Sequence, residues 1–188
     1  MSLVSAFLPS DSYRKRRTPN GEAGLVKQFW SAGQFLRGLR VQMRFGELTR
    51  APLRLLRLQM RAEEVECDWV ARALDPWDAS LSNRVQQRHA SLQTLRDAID
   101  VRALLFQMFP QIETAHFRVY RESEDDEREM IVIGCTQRND NTSREVHSLV
   151  MRAKVLGFRF DMEEERLRKL STKGQFHAGN LCDSNATP

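Results

Sequence analysis

The apolar and polar positions of this chain change period several times, and each change marks an element. Leu39-Arg40-Val41-Gln42-Met43-Arg44-Phe45 alternates strictly, apolar on one side and Arg or Gln on the other. A two-residue period predicts a half-buried β-strand. Leu56-Arg57-Leu58-Gln59-Met60-Arg61-Ala62 repeats the pattern, and Val65 to Arg72 follows it directly. These last two runs fit a hairpin turning at Glu63-Glu64. Met60 then faces Cys67, Leu58 faces Trp69 and Leu56 faces Ala71, while Arg61 meets Glu66 and Gln59 meets Asp68. Core and charged faces agree in one register. Glu-Glu suits a type I′ turn poorly, so a four-residue loop is expected.

Helical spacing flanks these strands. Leu25, Val26, Phe29, Trp30, Gly33 and Leu36 predict a short amphipathic helix from Glu22. After Asp75-Pro76-Trp77, Asp78 reads as an N-cap with Ala79 opening a long helix. Leu81, Val85, Leu92, Leu95 and Ile99 share one face, and Pro110 stops the helix after Phe109. Its length leaves room for a break near His89–Ser91 or at Asp100. Phe117 to Arg121 and Met130 to Cys135 read as a second hairpin around the acidic link Ser123 to Arg128. Thr142 and Glu145 form a capping box for a helix whose stripe is Val146, Leu149, Val150, Ala153 and Leu156, closed by Gly157. Phe158, Phe160 and Met162 predict a short edge strand, and 163–170 a charged helix.

The expected order is α-β-β-β-α-β-β-α. It implies an α+β two-layer sandwich, with about five antiparallel strands and helices on one face. Residues 1–21 read as a flexible basic arm, 22–170 as a single domain and 171–188 as a disordered tail.

Composition sharpens the picture through charge. Residues 1–62 hold 12 Lys and Arg against Asp11, Glu22 and Glu47, a balance of +9, whereas the remainder carries −5. A basic segment on a mildly acidic body points to an anionic partner. Of 29 bases, 24 are Arg, the side chain suited to bidentate contact with phosphate or carboxylate. The three cysteines lie far apart with no C-x-x-C, and no two histidines share a helical turn. A zinc site or disulfide framework is therefore not expected, and a reducing, cytoplasmic setting is. No apolar run approaches the roughly 20 residues of a membrane span.

The candidate site is the polar face of the first strands. Arg40, Gln42 and Arg44 on one strand, with Arg57, Gln59 and Arg61 on the next, repeat an Arg-x-Gln-x-Arg pattern, and Arg14, Lys15, Arg16 and Arg17 extend it. Guanidiniums suit phosphates and the glutamines suit base edges, so a nucleic acid or an acidic protein surface is the expected partner. The opposing reading is that Glu63, Glu64, Glu66 and Asp68 neutralise a solvated face. No aromatic residue interrupts the Arg face to stack bases. Asp75, Asp78, Asp97 and Asp100 form a nominal carboxylate cluster, yet Asp78 reads as a cap and Asp97 as a partner of Arg96 or Arg102. The run Glu124 to Glu127 lacks the glycine and spacing of a calcium loop. No phosphate loop, nucleophile elbow or metalloprotease motif is present. The expectation is a non-enzymatic binding module without metal, cofactor or catalytic residues. An assembly subunit such as a homodimer comes second, and an enzyme of unrecognised type third.

Overall fold

The computed structural model describes residues 33–38, 53–123, 127–139 and 146–171. In chain order these hold α1 (33–38), β1 (Arg54–Arg61), β2 (Glu64–Val70), a 3-10 turn (Pro76–Ser80) and α2 (Asn83–Met108). Then come β3 (Thr114–Glu122), β4 (Arg128–Gln137), α3 (Leu149–Val155), β5 (Phe158–Arg159), β6 (Met162–Glu163) and β7 (Arg166–Leu167). The expected strand at 39–45, the arm at 1–21, the capping pair Thr142 and Glu145, and all of the tail except Ser171 lie outside the described residues.

The main sheet runs β1-β2-β3-β4-β5, with β6 and β7 as a separate hairpin. It is mixed and not wholly antiparallel as expected: β2 and β3 run parallel, pairing Val65 with Ala115, Cys67 with Phe117 and Trp69 with Val119. The cause is α2. At about 1.5 Å per residue a 26-residue helix spans about 39 Å and returns the chain to the edge where β2 began. The next strand must then run in the same direction. No break interrupts α2, and it ends at Met108, before Pro110, as expected.

The β1–β2 hairpin keeps the expected faces but slides by two residues. Leu58 faces Cys67, Met60 faces Val65, Gln59 faces Glu66 and Arg57 faces Asp68. An even slide preserves side-chain parity, so either register satisfies the alternation. The tighter turn puts Ala62 at φ +49. A bulge between Leu55 and Arg57 then sends Leu55, and not Leu56, to the core.

The core lies between the sheet and α2. Val65, Cys67, Trp69, Ala115, Phe117, Val119 and Val132 meet Leu95, Ala98, Val101 and Leu105 in one buried cluster. Trp69 packs edge-on to Phe117 at 5.8 Å, and Phe158 packs against Phe117 at 5.6 Å with the rings tilted by 31°. Gly134 makes room for that ring, since a Cβ there would sit 2.6 Å from Phe158 Cδ1. In α1 it is Phe35 that is buried, packing 5.6 Å from Phe109, while Leu36 is exposed. Arg138 closes the end of α2 by donating to the carbonyls of Phe106 (2.8 Å) in its last turn and of Phe109 (2.6 Å) and Ile112 (2.9 Å) just beyond it.

Three local readings change. Asp75 accepts from Trp77 N to cap the 3-10 turn, and Ser82, not Asp78, occupies the N-cap of α2. Ser148 caps α3, whose buried member is Ala153, and Gly157 closes it at φ +86 as expected. Residues 162–167 form the β6–β7 hairpin and not a helix, with Glu164 and Glu165 both at positive φ in its turn. The chain here is tied sideways, Leu167 N–H donating to Ser91 Oγ (3.0 Å) and Leu170 N–H to Met130 O (2.8 Å). These lateral bonds take the place of helical ones.

Candidate functional site

Alternation puts Arg57, Gln59 and Arg61 of β1, Glu64, Glu66 and Asp68 of β2, and His116, Arg118 and Tyr120 of β3 on the sheet face opposite the core. Register aligns Arg57, Asp68 and Arg118 in one row, and Gln59, Glu66 and His116 in the next. Glu66 accepts from Arg57 at 2.9 Å and from Arg118 at 2.8 Å, and Arg118 also reaches Asp68 at 2.9 Å. Arg57 further donates to Gln59, and Arg54 pairs with Glu122. Burial opposes the charge on Arg118, but the hydrogen bond and charge of Asp68 outweigh it and hold the guanidinium above its ordinary pKa. Burial, then the Asp68 charge, raises the Tyr120 phenol.

The middle of this face is therefore a neutralised network. Of the expected site, the structure brings Arg57 and Gln59 together but commits both to neighbours within the sheet. Arg61 is exposed at the end of β1 and makes none of the ion pairs among the described residues. Arg40, Gln42, Arg44, Arg14, Lys15, Arg16 and Arg17 lie outside the described residues.

The four aspartates do not converge. Asp75 caps the 3-10 turn, and Asp78 Oδ2 lies 3.0 Å from His89 Nδ1. Asp97 is buried beneath α2, accepting from Arg72 Nε at 2.8 Å and Gln93 Nε2 at 2.7 Å, not from Arg96 or Arg102 as expected. Desolvation raises the Asp97 carboxyl despite the opposing pull of Arg72. Among the described residues no three His, Cys, Asp or Glu side chains are placed to hold a metal ion. Burial pushes the Cys67 thiol far up, so it sits in the core as an unreactive small residue.

Sequence reasoning missed Arg118 and the Arg72–Asp97 pair. A signal for the second existed: Ser91 and Thr94 carry the buried stripe of Leu95, Ala98 and Val101 toward the N-terminus of α2, and Asp97, three residues after Thr94, flanks it. That places Asp97 on the sheet side, where Arg72, two residues past the end of β2, meets it. Among the described residues no helix is long and apolar enough to cross a membrane. Compared with known proteins, the chain matches no family model, no curated protein and no solved structure.

Proposed function

We propose that this chain is a non-enzymatic binding module that meets an anionic partner, foremost a nucleic acid, through its basic N-terminal third and the β1 margin of the polar face. One observation carries the reading. Residues 1–62 concentrate 12 bases against three acids, and they end on a strand whose last arginine, Arg61, is exposed and makes no ion pair among the described residues. The neutralised centre of the face moves the contact toward that margin and away from Arg118. Arginine predominates, which suits bidentate phosphate contact.

The test is fluorescence anisotropy with labelled duplex DNA, single-stranded DNA and RNA across salt concentrations. Micromolar binding with a log–log salt slope of about −3 to −5, shallower when Arg40, Arg44, Arg57 and Arg61 are changed to Ala, is expected. No binding at about 50 mM salt, or a slope the four substitutions leave unchanged, sinks the proposal.

A second reading, an assembly surface, draws on the apolar residues Leu74, Trp77 and Leu81 around the 3-10 turn, of which Trp77 is 75% exposed. Large solvated aromatics are more at home in interfaces than on free surfaces. Light scattering of the wild type and Trp77→Ser tests it: a dimer that becomes a monomer supports this reading, and a monomer throughout removes it.

A further inference from the structure

The chain leaves β2 toward α2, but it leaves β3 by turning within the sheet into β4. Because these exits diverge at the carboxyl ends of two parallel neighbours, they leave a crevice of about 550 Å³ between them. The volume falls in the range of small-molecule sites, and strand carboxyl ends are where open sheets bind ligands. The β6–β7 hairpin forms the outer wall, held to α2 by the Leu167–Ser91 hydrogen bond and by Arg88 with Glu165 at 3.3 Å.

The lining chemistry is specific. Ala71, Ile131 and Leu167 supply an apolar floor, and α2 turns Gln87, Ala90, Ser91 and Thr94 toward it, of which Ser91 and Thr94 are buried polar residues. Ser91 Oγ accepts the Leu167 N–H, so its own hydroxyl proton is a donor to whatever enters. Three guanidiniums line the wall: Arg72, Arg121 and Arg166. Arg72 is matched by Asp97 (2.8 Å), Arg121 by Glu129 (2.8 Å), and the remaining lining acid, Glu122, by Arg54. Arg166 is exposed and makes none of the ion pairs among the described residues. Among its described lining residues three arginines meet two glutamates, one positive charge beyond what those acids balance, and the charge of Arg166 also reaches Glu129.

The Arg72–Asp97 pair adds a second argument. Its side chains are 6% and 2% exposed, and Arg72 also lines a neighbouring cavity of about 260 Å³. Apolar residues of similar volume would hold helix to sheet at least as well as a buried ion pair. A pair placed in the wall between two cavities fixes the polarity of that wall.

We propose that this crevice binds a small organic anion, a carboxylate or a phosphate ester. Arg166 takes the anionic group, Ser91 donates to a polar substituent, and the apolar floor carries the body. The site is separate from the polar sheet face and stands whether or not that face binds a polyanion.

The experiment is a ¹⁵N–¹H NMR titration of the full chain with inorganic phosphate and, separately, succinate, against sodium chloride at matched ionic strength. The expected result is saturable shifts of amides in 71–74, 87–94 and around Leu167, with either probe. Arg166→Gln should weaken binding at least tenfold, and Arg61→Gln should leave it unchanged. Phosphate alone saturating assigns a phosphate ester, and succinate alone assigns a carboxylate. Shifts reproduced by sodium chloride, or a dissociation constant indifferent to Arg166→Gln, overturn the proposal. So does loss on Arg61→Gln, which would place the anion on the β1 margin.

Discussion

Arg57, Glu66, Arg118 and Asp68 share their charges across three strands, and water reaches much of the network: Arg57 is 40% exposed and Glu66 18%. Beneath α2, Arg72 and Asp97 share theirs almost dry. The two systems contain the same chemical groups at the same 2.8–2.9 Å separations. Distance therefore does not rank them. In the open network screening makes each pair weak and replaceable, and Glu66 keeps one arginine when it loses the other. In the buried pair losing the opposite charge is costlier, because desolvation has already been incurred.

The largest expected effect tests that difference. Asp97→Ala should cost about 3–5 kcal/mol in urea unfolding, because it takes from the buried Arg72 guanidinium the carboxylate that meets its Nε at 2.8 Å. The double change Arg72→Met with Asp97→Leu should recover most of that loss. A single-mutant cost below about 1 kcal/mol would show that water reaches the pair. Next comes Arg118→Ala, at about 1–3 kcal/mol, since it removes the guanidinium from Asp68, whose side chain is only 9% exposed. Arg57→Ala, on the exposed margin of the same network, should cost less than about 1 kcal/mol. If Arg57 and Arg118 prove equal, the gradient of burial across the face is absent in solution.

The smallest effect is read from pH. Arg121, by hydrogen bond and charge, holds Glu129 below the ordinary carboxylate range. Glu129 thus contributes stability above its unfolded pKa, and that stability is lost as pH falls through its folded pKa. Asp97 is shifted the other way by burial. The folded chain keeps that proton longer than the unfolded chain, so the Asp97 contribution declines as pH rises from the unfolded pKa through the folded one. On acidification the two oppose each other. Asp97→Asn removes only the second, and should make the acid-side fall in unfolding free energy steeper than in wild type. Parallel profiles would contradict the assigned direction for Asp97.

Much of the fold was legible where the signal is local. The alternation at 56–62 and 65–70 marks two strands and both of their faces, Pro110 marks the end of α2, and Gly157 marks the end of α3. Local rules stop at pairing. A hairpin sliding by two residues leaves every side chain on its face, so alternation does not distinguish Leu58 opposite Trp69 from the observed Leu58 opposite Cys67. The bulge at Leu56 swaps which leucine packs against the core, and the charged stretch after Met162 folds as a hairpin because Ser91 and Met130, distant in sequence, offer partners for its backbone. For the candidate site, the sequence placed Arg57, Gln59 and Arg61 on one face. It did not supply Arg118, which enters from β3 only through the parallel crossover.

The sequence alone determined the two faces of β1 from Arg57 onward and of β2, where α2 and α3 stop, and that the first third of the chain carries the positive charge. Periodicity, proline, glycine and charge act over a few residues, so they can be read without knowing the neighbours. Tertiary structure alone decided that β2 and β3 run parallel, that Asp97 meets Arg72 and not a base on its own helix, and that the two strand exits part to leave a crevice. Each of these depends on residues brought together by the return path of α2, and only the folded chain specifies that path.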